Sequence, residues 1–135
     1  MTNWFFLGDY VDGWSQSPDV LDFLIELNQR QNCIFIRGNH DDLLLSWLNE
    51  NKDNLMWYKH GGEATVLAYT KVSDVVKKKH VEFLQSLSNY YLDEKNRLFI
   101  HAGFTNMNVL ILNTSQKCST GIERCGKQHW DWIKI

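Results

Sequence analysis

The sequence predicts an α/β fold, and two observations carry that prediction: short apolar runs that each end in a polar, glycine-bearing loop, and helical periodicity in the stretches between them. Composition agrees. With 135 residues, 44% hydrophobic and 22% charged, the chain falls in the range of ordinary globular proteins and is limited to one domain. Sixteen acidic against fourteen basic residues leave a formal charge of −2, so no overall field draws the chain to nucleic acid or to an anionic membrane. No apolar run approaches the roughly 18 residues of a membrane span, and Met1-Thr2-Asn3-Trp4 carries neither the basic flank nor the cleavage site of a signal peptide. The expected compartment is therefore a reducing cytoplasm. Cys33, Cys118 and Cys125 lack paired spacing, which predicts inert thiols rather than a disulfide framework or a zinc site.

The elements follow in order. Trp4-Phe5-Phe6-Leu7, closed by Gly8-Asp9, reads as a buried strand. A helix comes next, with Ser17 as N-cap, Pro18 at the first helical position and Asp19 and Asp22 at the positive end of the dipole. Val20, Phe23, Leu24 and Leu27 repeat at i, i+3, i+4, i+7 and mark its expected inner face. Cys33-Ile34-Phe35-Ile36 is a second buried strand, so strand, helix and strand form a βαβ unit, a parallel pair joined by a right-handed crossover. Leu43, Leu44, Trp47 and Leu48 form a helical stripe; Gly61-Gly62 interrupts the chain, His60 before it reads as a loop residue, and Glu63 to Tyr69 read as helix. A further helix opens near Ser73, with Val76, Phe83, Leu84 and Leu87 inward and Lys77-Lys78-Lys79-His80 as a solvated face. Tyr90-Tyr91-Leu92 and Leu98-Phe99-Ile100 flank Asp93 to Asn96 as a β-hairpin whose second strand runs into His101-Ala102-Gly103.

In open α/β sheets, ligands bind outside the carboxyl ends of the strands, and three such ends here carry polar residues. Asp9, Asn39 and His101 supply a carboxylate, an amide oxygen and an imidazole, a donor set suited to Mn²⁺, Fe or Zn²⁺. Taken singly, Asp9 is a turn residue, Asn39 a loop cap and His101 a strand-end histidine; their joint placement is what favours a metal site. Gly8-Asp9-Tyr10-Val11-Asp12, Gly38-Asn39-His40-Asp41 and His101-Ala102-Gly103, each after an apolar strand, resemble the GDxxD, GNH[DE] and H[AG]G motifs of the calcineurin-like metallophosphoesterases, the bacterial phosphoprotein-phosphatase type in particular. Gly62-Glu63-Ala64-Thr65 resembles the same branch. The resemblance spans residues 4–106 and implies part of a two-sheet sandwich flanked by helices.

The same resemblance implies a metal-dependent phosphoester hydrolase. Asp9 would bridge two divalent ions, with Asn39 and His101 as further ligands of the second. His40 would act as general acid for the leaving oxygen, and Asp12 would orient its ring. Substrates in the family are phosphorylated proteins or dinucleoside polyphosphates.

Departures from the family pattern bound these expectations. The arginine that usually follows the second Asp of GDxxD is replaced by Gly13, so phosphate recognition lacks its fork. Arg37 is a candidate substitute for substrate binding, and a salt bridge beneath the loop is the competing reading. The family's DxH motif and its C-terminal GH motif have no counterpart in the chain, which keeps three of six protein ligands. The alternative from another class is therefore a catalytically inactive fragment or an interaction module.

Residues 109–135 do not resemble the family, and they hold only Glu123 and Asp131 as acids. One permitted back-translation, with a single G restored after Asn108, reads GFDFEYFPKMFYWDRTLWETALGLDKN, which looks like the family's continuation after HAGF. The expectation is a partial phosphoesterase domain over residues 1–108 and a tail shifted out of frame by one deleted base. Cys118, Cys125, His129, Trp130 and Trp132 would then carry no selected role.

Overall fold

The structure, a computed structural model, describes residues 4–102 and is α/β, as the sequence predicts. Strand β1 (Trp4–Phe6) pairs in parallel with β2 (Cys33–Phe35) in the register Trp4↔Cys33, Phe5↔Ile34, Phe6↔Phe35. Helix α1 (Ser17–Arg30) makes the crossover between them. Helix α2 (Asn39–Glu50) leaves the end of β2 and closes on Asn51, whose left-handed φ of 49° suits the asparagine. A one-turn helix α3 (Leu55–Trp57), capped by the Asn54 side chain on Trp57 N at 3.0 Å, enters a wide turn, Tyr58–Gly62, and then α4 (Glu63–Tyr69).

Helix α5 (Asp74–Ser86) starts at the predicted Ser73 cap. After it, Ser88 N donates to Phe35 O at 3.0 Å and Arg37 N to Ser88 O at 2.7 Å, so this segment runs beside β2 on the side away from β1. The predicted hairpin is present as β3 (Tyr90–Leu92) and β4 (Leu98–Ile100), antiparallel with Tyr91 opposite Phe99. Phe5 joins the two sheets: its ring stacks on Phe99 at 4.2 Å and 9° and lies 5.4 Å from Tyr91.

The core lies between β2 and the helices, around Leu21, Leu24, Phe35, Leu44, Trp57, Tyr69 and Leu84. Phe35 is its hinge point, stacked on Phe6 at 5.0 Å and edge-on to Phe83 at 5.2 Å.

Four expectations are corrected. Ser17 is not the N-cap of α1; Gln16 takes that position, and the Ser17 side chain is buried. The inner face of α1 is Ser17, Pro18, Leu21 and Leu24, whereas Val20 and Phe23 are 37% and 60% exposed. Both stripes fit a period of 3.6, and burial of Ser17 fixes which one turns inward. His80 does not lie on a solvated face: it is fully buried, with Tyr69 Oη 2.8 Å from its Nδ1, and burial lowers its pKa. Finally, the first strand is not buried throughout, since Trp4 is 56% exposed and Leu7 beyond it 49%. Cys33 is a free, half-buried thiol, as expected; Cys118, Cys125 and the whole of the 109–135 tail lie outside the described residues. Among the described residues no helix is long and apolar enough to cross a membrane.

Candidate functional site

The site begins where β1 and β2 end side by side. Tyr10 ties the two ends together: its hydroxyl accepts from Gly8 N–H at 3.1 Å and donates to Ile36 O at 2.7 Å, with Phe6 O at 2.9 Å. Burial pushes the phenol pKa above its usual range, so the hydroxyl stays a donor. Gly8 has φ +92°, and a Cβ there would fall 2.5 Å from Gly38 N and 2.9 Å from His101 Nδ1, so only glycine lets the three strand ends meet.

Asp41 latches the two loops. Its fully buried carboxylate accepts Gly38 N–H at 2.7 Å, Asp9 N–H at 2.9 Å and Tyr10 N–H at 2.9 Å. Burial outweighs these donors and raises its pKa to about 6. Sequence reasoning assigned Asp41 no role. The signal available was its place three residues after Gly38, where an acidic side chain can reach back to the open amide at a helix start.

Asp12 is the hub of the second layer. It sits at φ 83°, with its side chain only 4% exposed. Its Oδ2 accepts His40 Nδ1–H and Trp57 Nε1–H, each at 2.5 Å, and its Oδ1 accepts Thr65 Oγ1–H at 2.6 Å. Asp12 N–H donates to Ser17 Oγ at 3.0 Å, and Ser17 in turn donates to Thr65 Oγ1 at 2.8 Å. That closed ring accounts for the loss of Ser17 as a helix cap. With Nδ1 committed to Asp12, His40 keeps Nε2 for anything that enters the site.

Asp9 and His101 also converge. His101 Nε2 lies 3.2 Å from Asp9 Oδ2, while its Nδ1 donates to Leu7 O at 2.5 Å. A neutral imidazole that donates from Nδ1 presents a lone pair at Nε2, facing a carboxylate oxygen. A shared cation satisfies both, and a backbone carbonyl behind the other nitrogen is the usual support of a metal-bound histidine. Asp9 is further fixed by accepting His40 N–H on Oδ1 at 3.1 Å. Asn39 opens α2 beside these groups. These donors fit one edge of a metal site: among the described residues no three His, Cys, Asp or Glu side chains gather at one point.

An open cleft of about 220 Å³ is lined by Asp9, Val11, Asp12, Gly13, His40 and His60. Arg37 is not among these residues. Its guanidinium donates to Leu84 O at 3.0 Å at the end of α5 and lies 3.4 Å from Asp42 Oδ1, the arrangement of the salt-bridge reading. His60, expected as a plain loop residue, is brought to the cleft because Gly13 N donates to Gly61 O at 3.2 Å. Trp57 and His60 had no sequence signal beyond their closeness to Gly61-Gly62, whereas Thr65 lies in the Gly62-Glu63-Ala64-Thr65 stretch that resembles the family.

The chain matches the calcineurin-like phosphoesterase family over residues 2–134. It is also similar to the asymmetrical bis(5'-nucleosyl)-tetraphosphatase of Anoxybacillus flavithermus, at 30% identity over 104 residues. That alignment covers 73% of this chain and 41% of the relative, so the chain spans less than half of that protein's length.

Proposed function

Because the chain belongs to the calcineurin-like phosphoesterase family, we propose that the cleft between the Asp9 and His40 loops hydrolyses phosphoesters, with His40 as the proton donor to the leaving oxygen. The observation that supports this most is the 2.5 Å bond from His40 Nδ1 to a buried Asp12 carboxylate, which leaves Nε2 as the nitrogen of that ring available to the cleft. Asp12 positions the ring, while Trp57 and Thr65 hold Asp12 in place. Asp9, Asn39 and His101 would hold two divalent ions, Mn, Fe or Zn. When bound, these supply charge neutralisation at the phosphoryl oxygens and an activated water. A dinucleoside polyphosphate, split at a phosphoanhydride rather than an ester, is the favoured substrate class over a phosphorylated protein, on the strength of the tetraphosphatase relative.

The test uses two leaving groups. With Mn²⁺ added, the 135-residue chain is expected to hydrolyse p-nitrophenyl phosphate and phenyl phosphate. His40→Ala should slow phenyl phosphate by about 10²- to 10⁴-fold, the range for loss of a general acid. The loss on p-nitrophenyl phosphate should be much smaller, because nitrophenolate departs without a proton. Equal losses on both would remove the acid role. Absence of any metal-dependent turnover would favour the second reading, an inactive fragment or interaction module, which is supported by the finding that among the described residues no three His, Cys, Asp or Glu side chains gather at one point.

A further inference from the structure

The cleft has a charge problem that points to a specific residue. Among the described residues its lining holds two carboxylates, Asp9 and Asp12, and two imidazoles, His40 and His60, with no lysine or arginine. A phosphoryl group brings further negative charge, and the lining side chains that can meet its oxygens with N–H groups are the two histidines. His40 is already assigned to the leaving oxygen. We infer that His60 is a phosphate-contacting residue of this cleft, donating from Nε2 to a phosphoryl oxygen, an inference that rests on the phosphoesterase reading.

The placement of His60 is built into the fold. Its Nδ1 donates to Met56 O at 2.7 Å, which fixes the ring and leaves Nε2 as its remaining polar atom. The next residue, Gly61, has φ +106°, and a Cβ there would lie 2.7 Å from Gly13 N, so the turn is pressed against the Asp12 loop and bonded to it through Gly13 N–H and Gly61 O. A Cβ on Gly62 would run into the Trp57 ring, whose Nε1–H holds Asp12. The His60 turn and the Asp12 hub are therefore one packed unit. On the cleft side there is room: a Cβ at Gly13 would meet nothing within 4 Å. An Nε2–H bond into that space to an ionised phosphoryl oxygen is charge-assisted through its acceptor, the kind of bond that holds phosphate oxygens most firmly.

The test separates the two nitrogens of His60. Inorganic phosphate is titrated into the full chain in magnesium buffer, and binding is read from the histidine Cε1–H proton resonances, with the buried His80 signal as the control for folding. Gln carries its amide nitrogen near the Nε2 position and Asn carries it near Nδ1. His60→Ala and His60→Asn should weaken phosphate binding by about 10- to 100-fold, the equivalent of one charge-assisted hydrogen bond. His60→Gln should stay within about threefold of the parent, a difference too small to mark loss of such a bond. Unchanged binding in His60→Ala, restoration by Asn but not Gln, or no saturable phosphate binding in the parent would each overturn the inference. Phosphoester hydrolysis with a KM indifferent to His60→Ala would sink this inference and leave the proposed function standing. Phosphate binding that depends on His60 without hydrolysis would do the reverse.

Discussion

Asp9 and Asp12 both hold left-handed backbone, at φ 56° and 83°, a conformation that costs a non-glycine residue on the order of 1–3 kcal/mol. Hydrogen bonds offset that cost: at Asp9, Oδ1 accepts His40 N–H, and the backbone N–H donates to the carboxylate of Asp41. Because its pKa in the folded chain is about 6, against an ordinary 3.8, the folded protein binds this proton more tightly than the unfolded chain does. Its contribution is therefore most favourable below about pH 4, declines as pH rises towards 6 and is constant above that. Asp41→Asn is expected to flatten that part of the stability profile. It should also cost about 1–3 kcal/mol, because an amide NH₂ would face one of the three N–H groups the carboxylate now accepts. Urea unfolding in EDTA at several pH values between 4 and 7 reads both effects; an Asp41→Asn profile with the parent's slope would assign the titration to another group.

At the scale of elements, the sequence shows pairings more readily than phases. The parallel β1–β2 pair and the β3–β4 hairpin were legible because each rests on local runs and short connections. The orientation of α1 was not, because two overlapping apolar stripes share the helix and a hydroxyl bonded across the chain to Thr65 decides between them. His80 escaped for a similar reason: it directly follows three lysines, and only its partner Tyr69, on another helix, explains its burial. The corrected phase makes a sharp prediction. Leu21→Ala, at 0% exposure, should lower unfolding free energy by about 2–5 kcal/mol, while Phe23→Ala, at 60% exposure, should change it by no more than about 0.5 kcal/mol. Thermal or urea denaturation of the two variants checks it, and the reverse order would restore the stripe read from periodicity.

For the whole molecule, the three motifs point to the candidate site because they sit at strand ends of the two sheets, where side chains from distant segments meet. The middle of the chain contributes as much: Trp57, His60 and Thr65 come from the stretch around Gly61-Gly62, whose part in the site depends on its packing against the Asp12 loop. The tail raises a separate question: the family match runs through residue 134, and we propose that the DNA encoding the tail carries the family's continuation in another frame. The single-base reading demands specific codons. The second restored codon joins the last base of the Val109 codon to the first two of Leu110, so a phenylalanine there requires Leu110 to be encoded with TT at its start rather than CT. Leu112 carries the same requirement for the second phenylalanine. The coding DNA is expected to read TTG at both positions; CTN codons at Leu110 and Leu112 would make both restored residues something other than phenylalanine and end the frame reading. Confirmation would mean that the phosphoesterase sequence continues past Asn108 in the DNA, and that a chain expressed with the base restored should carry more acidic and aromatic residues than the Glu123, Asp131, Trp130 and Trp132 of the present tail.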